Sequence, residues 1–259
     1  MKQHVVTITA GLAVALLAAG CSSDRPESSS PPAVRPSTPA PTASPSPTAE
    51  FDGDGAAEIW DQAERKARRA KSFHVVMTGF YEKQPVEMDM SYAAGRATGT
   101  VTLNKHAVKL RRIGKDLWFQ AERAFWLDQG AGAGVTDMLA GRWVRGRQST
   151  AGLDSLFELT DLTAVRKEFI LTAGQDVLYT GRVAGRKVGG RPTVGLAGRA
   201  RDVDGGEFRV AVYVAADGSA LPMQVVALSG KKYNTENRVF SRWNKKVTVT
   251  RPGNAVRIP

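Results

Sequence analysis

Cysteine is almost absent from this 259-residue chain, in which Cys21 is the only one. The sequence therefore excludes an internal disulfide, a thiolate metal site and, beyond residue 21, a cysteine nucleophile. Histidine is scarce as well, at three residues, and none stands in an HExxH or Cys/His spacing that binds zinc. The GxSxG turn of serine hydrolases and Gly-rich phosphate loops are also missing. These absences predict a protein with no catalytic residue, no metal and no cofactor.

Long apolar runs are absent except at the N-terminus, where Val5–Ala19 are mostly apolar. This run of about 15 residues is shorter than the roughly 20 that span a bilayer. Lys2 precedes the run, and small residues end it before Cys21, as in a secretory signal peptide. A cysteine in this place resembles the bacterial lipobox, which implies cleavage before Cys21, diacylglyceryl transfer to its thiol and acyl chains such as palmitate. A plain signal peptide with an incidental cysteine and an uncleaved anchor are the alternatives.

Residues 22–50 contain eight prolines and eleven serines or threonines. Such a segment cannot bury enough apolar surface to fold, so we predict a disordered or polyproline-like linker. Its extended reach is about 90 Å at 3.1 Å per residue. The chain therefore divides into a lipoprotein signal peptide (1–20), the lipidated Cys21 with its linker (21–50) and one folded domain (51–259).

Acidic residues are fewer than basic ones, and the net charge is +11. The first 50 residues contain three basic and three acidic side chains, so the excess belongs to the domain. A basic domain tethered to a membrane is attracted to anionic lipid headgroups. Nucleic acid is the other usual partner of such charge, but the chain has no nucleic-acid-binding motif and carries an export signal. We therefore predict no nucleic-acid partner; solvated faces are the alternative explanation of the charge.

Apolar periodicity predicts a helix from Asp54 to Ala70. Segments rich in β-forming residues recur between short turns from His74 to Asp128, of which Ala124–Asp128 is the last, and again from Asp176 to Trp243. This pattern predicts antiparallel strands. Val247–Val249 is predicted as a short edge strand. The middle of the chain has helical patterns at Val135–Ala140, Leu153–Leu159 and Leu162–Phe169. This order indicates an α+β domain, with a strongly curved antiparallel sheet and the N-terminal and central helices on its concave side.

Large apolar side chains are concentrated around the central helices, although aromatic residues make up only 7% of the chain. They could line a cavity for acyl chains, or they could form an ordinary core between helices and sheet, which the pattern alone favours. The candidate cavity-lining residues are Trp118, Phe125, Trp126, Met138, Leu139, Leu156 and Phe157.

Residues 54–258 resemble the LolA/LppX-type lipoproteins of actinobacteria. The likeness rests on the order and spacing of short segments: Ser72–Val75, Val108–Leu110, Gly114–Phe119, Phe125–Trp126, Leu139–Val144, Tyr213–Pro222, Phe240–Trp243 and Val247–Val249. The resemblance implies a half-open antiparallel barrel of ten or eleven strands, closed by helices over a hydrophobic cavity. It also implies binding or transport of acylated lipids or lipoproteins, without catalytic residues.

The sequence thus predicts a non-enzymatic lipoprotein on the outer face of the plasma membrane, held by its acyl anchor and carrying a lipid or lipidated ligand. The first alternative is a structural or interaction lipoprotein with a filled core that docks another envelope component, a protein or a polymer, through its basic face; a cavity below about 300 Å³ would favour it. The second is a hydrolase with His74 as its base. That alternative requires a buried histidine–carboxylate pair that opens onto a cleft.

Overall fold

The computed structural model describes residues 55–81, 84–103, 105–150, 152–171, 177–201, 207–229 and 235–258. The signal peptide, Cys21 and the linker predicted from the sequence lie outside these residues. Residues 45–259 form a compact unit of their own. Among the described residues, no helix combines the length and the apolar character needed to cross a bilayer.

One large sheet dominates the described part of the chain, and its order is β13-β6-β5-β4-β3-β2-β1-β12-β11-β10-β9-β7, with β8 paired to β9. Neighbouring strands are antiparallel except β13 and β6. The strands are Ser72–Tyr81 (β1), Gln84–Ala93 (β2), Arg96–Leu103 (β3), His106–Ile113 (β4), Asp116–Ala121 (β5), Val144–Arg147 (β6), Leu178–Val183 (β7), Lys187–Val188 (β8), Arg191–Arg201 (β9), Glu207–Ala215 (β10), Pro222–Ser229 (β11), Thr235–Ser241 (β12) and Val256–Arg257 (β13).

The two faces of the sheet differ in burial because successive side chains of a strand point to opposite sides. Phe73, Val75 and Met77 of β1 are buried, whereas Val76 and Thr78 between and after them are exposed. We call the buried side the core face and the opposite side the outer face. The cross-strand partners on β2 continue the core face, since Phe73 pairs with Tyr92, Val75 with Met90 and Met77 with Met88.

The helix Ala56–Arg69 (α1) packs on the core face through an apolar stripe, in which Ile59, Trp60, Ala63 and Ala67 are buried. It contacts the strands β7, β9, β10 and β11. This helix confirms the prediction for residues 54–70 to within two residues. Its C-terminal carbonyls accept hydrogen bonds from Arg166.

The central segment is helical, as predicted, and its helices are also on the core face. They are Arg123–Asp128 (α2), Ala133–Leu139 (α3), Asp154–Leu159 (α4) and Leu162–Arg166 (α5), which continues as a π-helical turn, Lys167–Leu171. The prediction of a strand at Ala124–Asp128 was wrong. Consecutive Phe125 and Trp126 are both buried there, which a short helix packed on a core allows, and a short apolar run does not by itself distinguish helix from strand.

The C-terminal segment 244–258, which we call the strap, crosses the outer face from β1 to β6. The backbone N–H of Asn244 donates to Ser72 on β1, Arg111 on β4 donates to the carbonyl of Thr250, and Ile258 donates to Arg145 on β6. The predicted strand at Val247–Val249 was wrong, because this part of the strap lies across the strands and has no ladder partner among the described residues. The strap forms β13 only where it turns parallel to β6.

Candidate functional site

The interior between the core face and the helices is one continuous apolar cluster. It joins the buried stripe of α1 to the buried side chains of α2–α5 and of most strands. The sheet therefore contributes one wall of the interior and the helices contribute the other. An acyl chain bound inside the molecule would have to lie in this space.

Four of the seven candidate lining residues meet here. Phe125, Trp126, Leu139 and Phe157 are each at most 9% exposed and belong to the cluster. The ring of Trp126 lies 5.3 Å from that of Phe125 and 5.6 Å from that of Phe119 on β5, measured between centroids. The helix α2 thus packs its aromatic side chains directly on the core face.

The other three candidates lie elsewhere. Met138 is 47% exposed on α3, and Leu156 is half-buried at the margin of the cluster. Trp118 is buried, but it lies on the outer face, because its neighbours Leu117 and Phe119 occupy the core face. The structure therefore does not place Trp118 in the wall of the interior, and the alternation of β5 is the reason.

The helices α2 and α3 form a cover over this part of the core. The segment Gln129–Gly132 that joins them contains two glycines, and Gly130 has φ +78°, a conformation that residues with a side chain seldom adopt. An ion pair between Arg123 and Asp137 ties the two helices together on the surface. Leu127, Val135 and Met138 of the cover are 47–48% exposed. The cover is therefore apolar on both its inner and its outer side.

Two indole N–H groups in the interior have no hydrogen-bond partner within the described part of the chain, namely those of Trp60 and Trp126. The hydroxyl of Tyr179 also has no partner among the described residues. The ring centroid of Tyr179 lies 5.9 Å from that of Trp60. Buried polar groups are normally hydrogen-bonded. These groups are able to donate to an ester, hydroxyl or carbonyl oxygen of an amphiphile that enters the core.

The buried tyrosines are neutral at physiological pH. Burial raises the pKa of Tyr92, whose hydroxyl donates to the carbonyl of Leu159 at 3.2 Å and thereby ties β2 to the end of α4. Burial also raises the pKa of Tyr179, and the carboxylates of Glu64 and Asp61 add to the effect. The interior is thus a low-dielectric space without a charged tyrosine.

Two cavities among the described residues lie on the outer face, and basic side chains form part of the lining of each. One has a volume of about 280 Å³ and lies among Arg145, Arg147 and Arg257. The other has a volume of about 180 Å³ and lies between the start of the strap and the strands β1–β3. Neither is lined by any of the seven candidate residues. These volumes are below the roughly 300 Å³ at which ligand sites begin.

The two histidines of the described residues each contact a carboxylate. His74 contacts Ser241 Oγ through Nδ1 at 2.9 Å and Asp89 through Nε2 at 2.8 Å, and His106 contacts Asp128. The Asp89 side chain is 70% exposed, so the buried pair that a hydrolase requires is not formed at His74. Within the described ranges, no three His, Cys, Asp or Glu side chains are grouped to hold a metal ion.

Comparison with solved structures decides the fold. LprF from Mycobacterium bovis matches with a TM-score of 0.51 at 16% identity, over 76% of this chain and 96% of LprF. The chain has the LprF fold. The Mycobacterium tuberculosis lipoprotein LppX also matches, with a TM-score of 0.48 and 18% identity, over 75% of this chain and 98% of LppX. Neither a protein-family model nor a curated protein matches the sequence.

The LprF fold confirms the α+β class predicted from the sequence, a curved, mainly antiparallel sheet with helices on one face. Sequence reasoning missed Trp60 and Tyr179 as interior polar groups, although the helical position of Trp60 was a usable signal. It also missed the polar sites of the outer face. Those depend on which strand residues stand opposite one another, and no local pattern carries that information.

Proposed function

We propose that this protein is a membrane-anchored extracytoplasmic lipoprotein that binds a lipid or other amphiphile between the core face and the central helices. The observation that carries the proposal is the α2–α3 cover. It is glycine-linked and apolar on both sides, and its buried Trp126 packs on Phe119 of the core face. The N–H of Trp126 has no hydrogen-bond partner among the described residues. The LprF fold supports it by supplying an apolar interior with a sheet on one side and helices on the other.

Binding would proceed by displacement of the cover and burial of the acyl chain. Removal of a chain of about 12 carbons from water contributes on the order of 10 kcal/mol, at about 0.8 kcal/mol per CH₂. That gain has to offset the separation of Phe125, Trp126 and Leu139 from the core. Trp126 would donate its indole N–H to an oxygen of the ligand. The reaction class is binding alone, so no residue of this interior is assigned a catalytic role.

Anchoring is proposed to depend on Cys21, at the end of the signal peptide 1–20. Stable attachment needs two acyl signals, since a single chain gives marginal and reversible binding. Diacylglyceryl transfer to Cys21 would meet this requirement. The linker 21–50 would then hold the domain at the outer face of the plasma membrane while allowing it to move up to about 90 Å from its anchor.

A second function is favoured by the packing of the core. The apolar interior is well filled, with most of its members at most 9% exposed, and both cavities described above lie on the outer face and are smaller than 300 Å³. A structural or interaction lipoprotein that docks another envelope component would need no more than this filled core.

Fluorescence of single tryptophans distinguishes the two functions. We would prepare residues 45–259, the compact unit that holds the whole described core, in two forms. One keeps only Trp126 and the other keeps only Trp118, with the remaining tryptophans changed to phenylalanine. Both side chains are buried, but they lie on opposite faces of the sheet. Each form is titrated with a brominated fatty acid or lysophospholipid below its micelle concentration, and circular dichroism checks that both forms fold.

Quenching of Trp126 with little change at Trp118 is expected, since bromine quenches only over short distances. Native mass spectrometry of the wild-type unit should then show one amphiphile bound, and should show its loss on Leu139→Glu or Phe157→Glu. An unquenched Trp126 together with an apo mass at saturating amphiphile would overturn the carrier proposal and leave the docking function.

A further inference from the structure

A register row of side chains crosses the outer face at right angles to the strands. His74 stands opposite both Ser241 and Ser91, and Ser91 stands opposite Thr98. The row continues through Arg111, Trp118 and Arg145, each the cross-strand partner of the one before it. Directly opposed residues of antiparallel strands lie on the same face, with Cβ atoms about 5 Å apart. The row is therefore a continuous polar and basic line along which the strap runs.

The smaller outer-face cavity lies at the start of this row, and we call it the turn pocket. Residues of the strands form its floor and residues at the start of the strap form its wall. The floor consists of Phe73, His74, Ser91 and Thr98, and the wall of Arg242, Lys245, Lys246, Val247 and Thr248. Its volume of about 180 Å³ is below the roughly 300 Å³ of typical small-molecule sites. It therefore accommodates a phosphate group with part of its hydration, and no large apolar ligand.

The wall of the turn pocket is held in place by hydrogen bonds to β1. Asn244 Oδ1 accepts from the N–H of Lys71 at 2.8 Å, and the Ser72 hydroxyl donates to the carbonyl of Lys245 at 2.6 Å. Trp243 is buried and donates its indole N–H to the carbonyl of Pro222. Arg242 has a φ of +50°, which is uncommon for a residue with a side chain. The backbone that presents the cations is thus fixed before any ligand arrives.

The positive charge of the wall is not neutralised. None of Arg242, Lys245 and Lys246 forms an ion pair with any described residue, and all three are exposed. The carboxylate of Asp89 is hydrogen-bonded to His74 of the floor. From residue 242 to the last residue, the sequence contains five basic side chains and no acidic one. Charge-assisted hydrogen bonds from arginine and lysine are the strongest means by which proteins hold phosphate oxygens.

We propose that the turn pocket binds a phosphate group, with Arg242, Lys245 and Lys246 supplying the charge and Ser91 and Thr98 supplying hydroxyl donors. Two sources share this chemistry, the headgroup of an anionic phospholipid and a free phosphate compound. The headgroup source rests on the proposed membrane-anchored function, in which the outer face would meet the bilayer. The free source does not depend on that function.

Two measurements on residues 45–259 distinguish these sources. The first is sedimentation with vesicles of phosphatidylcholine that contain no, or one third, phosphatidylglycerol. The second is an NMR titration with inorganic phosphate and glycerol phosphate, with the amide signals of His74, Ser91 and Thr98 as reporters. The test variant is Arg242→Gln with Lys246→Gln. The matched control is Lys66→Gln with Arg69→Gln on the exposed side of α1, which removes the same charge from residues that do not line the turn pocket.

Salt-sensitive binding to the anionic vesicles that falls about tenfold or more in the test variant, but little in the control, would support the headgroup source. Saturable shifts of the reporter signals by soluble phosphate, lost only in the test variant and without vesicle binding, would support the free source. Equal losses of binding in both variants, or NMR shifts spread over the whole basic surface, would overturn the proposal that the turn pocket binds phosphate. Quenching of Trp126 by a monomeric amphiphile reports on the core alone, so failure of one proposal leaves the other measurable.

Discussion

Trp118 and Phe119 are consecutive residues of β5, yet Trp118 lies on the outer face and Phe119 on the core face. Trp118 stands opposite Arg145 of β6, whose guanidinium carbon lies 5.5 Å from the centre of a Trp118 ring. Phe119 packs on Trp126. Both aromatic side chains are buried, at 3% and 4% exposure. Burial alone therefore does not show which side chains belong to the proposed lipid site.

Truncation of these two residues should separate stability from binding. Phe119→Ala and Trp118→Ala should each lower the free energy of unfolding by about 3–5 kcal/mol, the usual cost of such changes in a core. Only Phe119→Ala should alter amphiphile affinity, because it removes a contact of Trp126. Urea unfolding measures the first effect, and titration of the folded variants measures the second. Equal effects of both variants on affinity would contradict the assignment of the two faces.

Alkaline pH should destabilise the domain through its buried tyrosines. An unfolded tyrosine ionises near pH 10, whereas burial raises the pKa of Tyr92 and Tyr179 in the folded state. Stability should therefore be unaffected below pH 10 and should fall as the pH rises above it. We expect urea unfolding between pH 8 and 11 to show a smaller loss of unfolding free energy for Tyr92→Phe and for Tyr179→Phe than for the wild type.

These two variants also differ at neutral pH. Tyr92→Phe removes a hydrogen bond to Leu159 and should cost about 1 kcal/mol. Tyr179→Phe removes a hydroxyl without a partner among the described residues and should cost little or increase stability. If both variants lose stability above pH 10 as steeply as the wild type, other groups are responsible for that loss.

Acidic pH should destabilise the turn between β10 and β11. Burial tends to raise the pKa of Asp217, but hydrogen bonds from Ser219 and Arg191 outweigh it and lower the pKa below its ordinary value. The stability that this carboxylate contributes is present above the ordinary pKa near 3.9 and is lost as the pH falls through the folded value. Asp217→Asn should therefore reduce the loss of unfolding free energy, measured with urea, as the pH falls from about 5 to 2. Arg191→Gln removes a hydrogen-bond donor to Asp217 and should have the same effect. If stability falls with pH as steeply in both variants as in the wild type, Asp217 does not contribute to the acid sensitivity.

Arg166 should contribute to stability through the end of α1. Its guanidinium donates to the carbonyls of Ala67, Arg68 and Ala70, which have few other partners at a helix C-terminus. Arg166→Gln should lower the free energy of unfolding by about 1.5–3 kcal/mol, the range for hydrogen bonds to a charged group. The control is Arg65→Gln on the exposed side of α1, which should change it by less than about 0.5 kcal/mol. Thermal or urea unfolding of both variants tests the difference.

Local patterns predicted most of the elements correctly because each depends on residues close together in the chain. The apolar stripe of α1 repeats at helical spacing, and the strands from β1 to β5 and from β9 to β12 follow alternation and turn residues. The two errors had different origins. Phe125 and Trp126 form an apolar run too short to show a period, and Val247–Val249 has strand-forming residues but lies across the strands.

The class of the domain and its basic charge follow from the sequence alone, because short-range periodicity and composition encode them. The candidate anchor at Cys21 comes from the resemblance of residues 17–21 to the lipobox. The assignment of Trp118 to the outer face, the meeting of Trp126 with Phe119 and the formation of the turn pocket required the tertiary structure. Each depends on the register between strands or on the path of the strap. Ser72 and Lys245 are 173 residues apart, yet one hydrogen bond between them helps to fix that pocket. Such contacts arise from the packing of the whole core, and no window along the chain contains both partners.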